Sequence, residues 1–237
     1  MLNLFKKPVI EFYCHPSLEG VIPEPKSAAK YFPDWFKKIP QDLPRRDIFK
    51  NPVMTAKKCM PLLDAMSFGY IIPLAGDTRV ITNDNLSIID IHSPPQLKTI
   101  DFHETDQVGG KTYPGYPGKP IKFINHWVIK TAPGWSTLFV PMLNNFEQPF
   151  TCLSGLVDTD KYPKEVNFPA VWHEKNFDGS LVAGTPLVTV IPVKRSSFPK
   201  KPVVRKMTDK EFNEIDKMSK IQNSRSHYYT NELREPR

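Results

Sequence analysis

The sequence predicts a mainly β fold with an irregular N-terminal arm and a C-terminal amphipathic helix. Three observations carry this. Proline supplies 25 of 237 residues and is spread through the chain, which works against long helices because proline lacks a donor and clashes in a helix interior. Short β-branched runs, GYIIPL, TRVITN and LSIID, are split by Ala75-Gly76-Asp77 and Asn83-Asp84-Asn85, the pattern of hairpin-linked strands. Three longer apolar runs lie within Trp127–Arg195, separated by Pro, Gly and Asp.

Taken in order, PVIEFYC (8–14) reads as a first strand. KSAAKYFPDWFKKIP (26–40) reads as a broken arm, interrupted by Pro33, whose Tyr31, Phe32, Trp35 and Phe36 wrap a core built elsewhere. Residues 41–54 read as a Pro/Asp/Arg loop, and 55–68 as a short helix capped by Thr55 with Pro61 in its first turn. The three hairpin strands follow, and then the longest irregular stretch, 92–120, with its Tyr-Pro-Gly pair. IKFINHWVIKT (121–131) alternates as one strand, Pro133-Gly134 turns, and STLFVPML (136–143) is apolar enough to be buried on both faces. VNFPAVWH (166–173) and PLVTVIPV (186–193) carry internal prolines, which belong at bulges or edges. The last element is a helix from Asp209 to Gln222 with a capping box at Thr208 and a stripe of Phe212, Ile215 and Met218. It is expected to dock on the β-body or on another subunit, with a polar, mobile tail over 223–237. The expected organisation is an N-terminal strand and wrapping arm over 1–54, a β-domain over 55–195, and a basic linker, helix and tail over 196–237.

Ordinary hydrophobic (40%) and charged (24%) content excludes wholesale disorder. Cys14, Cys59 and Cys152 form no CxxC, so a reducing compartment is expected and neither a zinc knuckle nor a disulfide framework is indicated. No signal peptide or membrane span is read. The expected location is cytoplasmic. The net charge of +7 includes an acid-free basic stretch, Lys194, Arg195, Lys200, Lys201, Arg205 and Lys206. Without interleaved aromatics nucleic acid is not the expected partner, and Lys194–Lys206 is the one route left to it.

Catalytic motifs are incomplete. There is no Gly-x-Ser-x-Gly, GxGxxG or Walker A. A metal site would draw on His103, Asp106 or Glu104, and His126 or His173, but His103-Glu104 and His103-x-x-Asp106 do not match the spacing of a two-His, one-carboxylate oxygenase site. The strongest candidate is the acidic turn Asp158, Asp160 and Tyr162. One carboxylate could deprotonate water as a general base, or two could share a divalent cation. Against this stands an Asx turn, with Asp158 bonded to backbone amides. The residues name no cofactor.

GLVDTD-KYPKEV resembles the hairpin motif of trimeric deoxyuridine triphosphatases, a Gly-apolar-apolar-Asp-x-Asp-Tyr pattern, and the flanking strands agree in order over residues 127–195. The resemblance implies a jelly-roll or β-clip-like barrel. It casts Asp158 as the water-activating carboxylate and Tyr162 as the platform under a sugar, displaced by Lys161. The chain departs from that family where phosphate is bound. Met142-Leu143-Asn144 stand in place of its Arg-Ser segment, Pro163 stands in place of a glycine, and no glycine follows Gly184. YFPDWFKKIP, CMPLLDAMSFGYIIPL, HWVIKTAPGWS and GTPLVTVIPVKR are together similar to a phage and bacterial family of unknown function. That similarity implies a non-catalytic accessory, structural or interaction protein, with itself, virion proteins or host proteins as partners. The alternatives are a nucleotide-hydrolase-like enzyme and a metal-dependent oxygenase.

Overall fold

A computed structural model describes residues 9–48, 50, 52–110, 112–198, 201–225 and 228–235. Pro8, Lys200 and parts of the tail lie outside them. The chain forms two compact units, residues 1–197 and 198–237. In the first unit the strands are β1 (Ile10–Tyr13), β2 (Lys26–Ser27), β3 (Asp42–Arg46), β4 (Pro52–Met54), β5 (Tyr70–Pro73), β6 (Thr78–Thr82), β7 (Ile89–His92) and β8 (Ile100–Phe102). They continue with β9 (Ile121–Phe123), β10 (Val128–Thr131), β11 (Trp135–Pro141), β12 (Phe150–Cys152), β13 (Gly155–Val157), β14 (Phe168–Trp172), β15 (Asp178–Leu181) and β16 (Pro186–Lys194). The helices are α1 (Asp34–Lys38), α2 (Met60–Ser67) and, in the second unit, α3 (Asp209–Ser224).

The protein is mainly β. Its strands pair antiparallel in five sheets: β13-β11-β16-β5-β2, β12-β14-β9-β8, β15-β6-β7, β1-β10 and β3-β4. Among the described residues none of the sheets closes on itself, so the expected barrel is not closed. Four of them contribute to one core, where Ile72, Phe139, Val188 and Val190 of the five-stranded sheet meet Phe123, Phe150, Phe168 and Trp172 of the four-stranded one. Phe139 and Phe168 join the two sheets directly, with ring centroids 5.6 Å apart. Trp172 is 1% exposed, packs edge-on against Phe177, and donates from its indole N–H to the carbonyl of Glu174 at 2.9 Å.

β16 is the spine of the five-stranded sheet and pairs with β11 from Trp135↔Lys194 to Pro141↔Val188. Its prolines fall where no ladder bond is lost. The amide of Arg195 reaches the carbonyl of Gly134 on the β11 side. By alternation Pro192 therefore turns its nitrogen to the other side, past the end of β5, whose pairing stops at Tyr70↔Val190. Pro186 adjoins a register shift. Pro169 sits inside an interior strand, but its carbonyl accepts from Leu153, one residue beyond the end of β12. The missing donor is thus spent where the neighbouring strand has finished.

Several expectations change. Residues 121–131 are two strands in two sheets, not one. Asn125 is the reason: its amide accepts from the Trp127 N–H at 3.0 Å and donates to the Trp127 carbonyl at 2.7 Å, taking both groups out of any ladder. The 41–54 loop is a ribbon, β3 with β4. The 55–68 helix is divided into a 3-10 turn capped by Thr55 and then α2, with Pro61 in its first turn as read. β8 emerges from the irregular 92–120 stretch. The arm is held at α1, where the Glu147 carboxylate accepts from the amides of Asp34 (2.8 Å) and Trp35 (3.0 Å) at the helix start.

In the second unit the capping box forms as the sequence reads it. Thr208 and Glu211 exchange bonds, and Arg205 clamps the Glu211 carboxylate. Residues Tyr229–Leu233 of the tail make a π-helical turn. Among the described residues no helix is long and apolar enough to cross a membrane.

Replacing Trp172 by Ala empties the meeting point of two sheets and leaves a carbonyl without its donor. Urea unfolding of Trp172→Ala should show a loss of about 3–5 kcal/mol. A loss below about 1 kcal/mol would mean that Trp172 is not part of the closed core.

Candidate functional site

Three strand ends converge beside the acidic turn. β11 begins at Trp135, just after the turn at Gly134, whose φ of +82° suits glycine. β16 ends opposite it at Lys194, and β13 ends at Val157 on the other side of β11. The next residue after each end therefore lands in one place: Asp158 after β13 and Arg195 after β16.

Arg195 occupies the middle. Its Nη1 donates to the Trp135 carbonyl (2.8 Å), Ser136 Oγ (3.2 Å), Asp158 Oδ1 (3.3 Å) and Asp160 Oδ1 (2.9 Å). Its Nη2 donates to Asp160 Oδ2, so Asp160 is held by the planar two-donor fork that arginine alone provides. Gly134 adds its amide to Asp160 Oδ2 at 2.9 Å, and Ser136 donates to Asp158 Oδ1 at 2.6 Å. The Asp160 side chain is 6% exposed, that of Arg195 29% and that of Asp158 58%.

A buried hydroxyl chain adjoins this clasp. Thr159 Oγ1 lies 2.8 Å from Thr131 Oγ1 and 2.7 Å from Thr137 Oγ1, all three residues being buried. Thr131 passes the chain on to the Trp135 carbonyl at 3.2 Å. Each hydroxyl can be donor to one partner and acceptor from another, so no polar atom is stranded by the burial.

The hydrogen bonds from Arg195 hold the Asp160 carboxyl at a pKa of about 2, with the Gly134 amide and nearby cations acting the same way and desolvation opposing them. The same contact raises the Arg195 guanidinium. A carboxylate this acidic is a weak proton acceptor near neutral pH. The cation shared by the two carboxylates is the guanidinium of Arg195. Asp158 does not turn its side chain onto its own loop. Its backbone carbonyl closes the turn, accepting from the amides of Lys161 and Tyr162 at 2.9 Å each, while its carboxylate faces Ser136 and Arg195. Tyr162 is 43% exposed.

The structure thus brings Asp158 and Asp160 together and adds two residues that sequence reading missed. Ser136 carried no signal beyond its place at a strand start. Arg195 was read only as part of a basic stretch, although it directly follows the end of β16.

The histidines are placed apart from this clasp. His103 Nδ1 bonds Gln107 Oε1 at 2.9 Å. Since that oxygen also accepts the Glu104 amide, Nδ1 is the protonated nitrogen. His126 Nε2 lies 2.9 Å from the Lys98 carbonyl, and His173 Nε2 2.8 Å from that of Gln148. A carbonyl only accepts, so those nitrogens carry their protons and offer no lone pair. Among the described residues no three His, Cys, Asp or Glu side chains group to hold a metal ion, and His103, Asp106 and His126 form no such set.

The clasp gives a pH dependence with a definite sign. Asp160 is depressed from an ordinary 3.8 to about 2. Its stabilising contribution is therefore full above pH 4 and lost as the pH falls through about 2. Asp160→Asn should melt below wild type at pH 7 and lose less further stability between pH 4 and pH 2. Parallel Tm curves for the two proteins over that window would show that Asp160 is not clamped.

The chain matches no protein-family model, and no curated protein matches it.

Proposed function

We propose that this chain is a non-catalytic accessory, structural or interaction protein of phage type, on a body of jelly-roll or β-clip kind. The clasp carries the reading. Arg195 spans Asp158 and Asp160 and ties together the ends of β11, β13 and β16. A general base needs a carboxylate free to take a proton from water. Asp160 is held ionised, and Asp158 already shares Oδ1 between Ser136 and Arg195. Antiparallel pairing of strands distant in sequence, such as β11 with β16 and β14 with β9, supports a jelly-roll or clip-like winding. The phage setting rests on the likeness of YFPDWFKKIP and its companion segments.

A nucleotide-hydrolase reading is favoured by one observation: the Asp158 carboxylate is more than half exposed, beside a serine hydroxyl and an arginine. A screen of nucleoside triphosphates with magnesium separates the two. The interaction reading expects wild type and Asp158→Asn to give the same background turnover. A wild-type turnover that falls at least 100-fold in Asp158→Asn would overturn it, since removing a positioned base costs about 10²–10⁴-fold.

A further inference from the structure

Two segments of the chain are strongly basic, the Lys194–Lys206 stretch and residues 26–58, each with a net charge of +6. Residues 26–58 contain nine Lys or Arg and three Asp. Folding concentrates their charge further. Asp34 of α1 is bound by Lys37 and Lys38, and Asp42, at the start of β3, by Lys58. Arg45, Arg46 and Lys50 are carried to the far end of the β3–β4 ribbon.

The ribbon itself is open. β3 and β4 pair with each other and with no other strand among the described residues. Pro44, Arg45, Arg46, Asp47, Ile48 and Lys50 are all exposed, Ile48 at 90%. A two-stranded hairpin that joins no larger sheet is marginal by itself. Its tip is also costly. Lys50 adopts φ +65°, a left-handed conformation that glycine or asparagine takes with less strain. Arg46 Nη1 fastens the turn by donating to the Lys50 carbonyl at 2.8 Å. A cation kept at a strained position is the kind of outlier that marks a working surface.

We infer that the β3–β4 ribbon is a docking arm for double-stranded DNA, with Arg45, Arg46 and Lys50 on the phosphates. Charge complementarity calls for a polyanion. Ribbon geometry selects the duplex. The major groove of B-DNA, about 12 Å wide, admits a two-stranded β-ribbon, whereas the major groove of A-form RNA is too narrow for side chains to read. Ile48, apolar and at the tip, has thymine methyl groups to meet in that groove. The inference uses no part of the Arg195 clasp, so its failure leaves the reading above untouched.

Fluorescence anisotropy with a 24-bp mixed-sequence duplex and the full chain tests it, in 50 to 200 mM KCl. Wild type should bind with log K falling against log[KCl] at a slope of about −3, since each phosphate contact contributes about −0.9. Arg45→Gln/Arg46→Gln/Lys50→Gly should lose at least tenfold in affinity at 50 mM and most of that slope. Lys50→Gly alone relieves the strained turn, so it should keep or raise Tm while the slope shrinks by about 0.9. Lys201→Glu/Lys206→Glu should bind as wild type. No binding at 50 mM KCl, or an unchanged triple variant, would overturn the inference. So would a poly-glutamate peptide of equal charge that competes as well as the DNA, which would point to an acidic protein partner.

Discussion

The seven-residue pairing of β11 with β16 is the constraint on which the rest of the first unit hangs. It makes β16 interior between β11 and β5 and β11 interior between β16 and β13. That is why Thr137, Phe139, Val188 and Val190 are all buried. Because the register is fixed, the residue after β16 must fall beside the residue before β11. Arg195 and Gly134 are therefore neighbours by geometry, and the clasp is a consequence of where the ladder ends.

Proline shapes what can be built around that ladder. A sheet protein with so many prolines must place each one where a missing amide proton costs nothing. Pro192 faces the space past β5, Pro186 adjoins a bulge, and Pro169 faces the end of β12. Short strands in several small sheets follow naturally, since each such site is also a place where a neighbour stops. The polar chemistry of the interior is solved in the same economical way. Thr131, Thr159 and Thr137 satisfy one another, and so do Thr78, Thr99 and Ser93. β-branched hydroxyl residues keep strand propensity while each supplies both a donor and an acceptor.

The charge pattern divides the molecule between two kinds of electrostatics. At the clasp a cation and two carboxylates are matched, partly buried and held by bidentate geometry. At the ribbon tip Arg45 and Lys50 are exposed. Matched charge fastens structure. Charge left on an extended arm acts at a distance of about one Debye length, roughly 8 Å at physiological salt, and draws in a partner of opposite sign.

Local chemistry was readable from the sequence wherever it is decided within a few residues. The capping box at Thr208 and Glu211, the turn at Gly134, the cap at Thr55 and the apolar strands β11 and β16 belong to this class. Their determinants are steric and lie close along the chain. The expected hairpin at Gly76 does not form, because β5 and β6 pair in different sheets. The acidic turn could be singled out, yet not its meaning, because the partner of Asp158 and Asp160 lies 35 or more residues away at Arg195. The split of 121–131 also escaped, since alternation alone does not reveal that the Asn125 side chain will take both backbone groups of Trp127. Strand pairing, register and the meeting of charges are set by the shared core, in which Phe123, Phe139, Phe168 and Trp172 must be buried together. Sequence determined the strands whose apolar runs are long and locally bounded, such as β11, β14 and β16. Tertiary packing decided which strands lie side by side, and so which cation met which carboxylate.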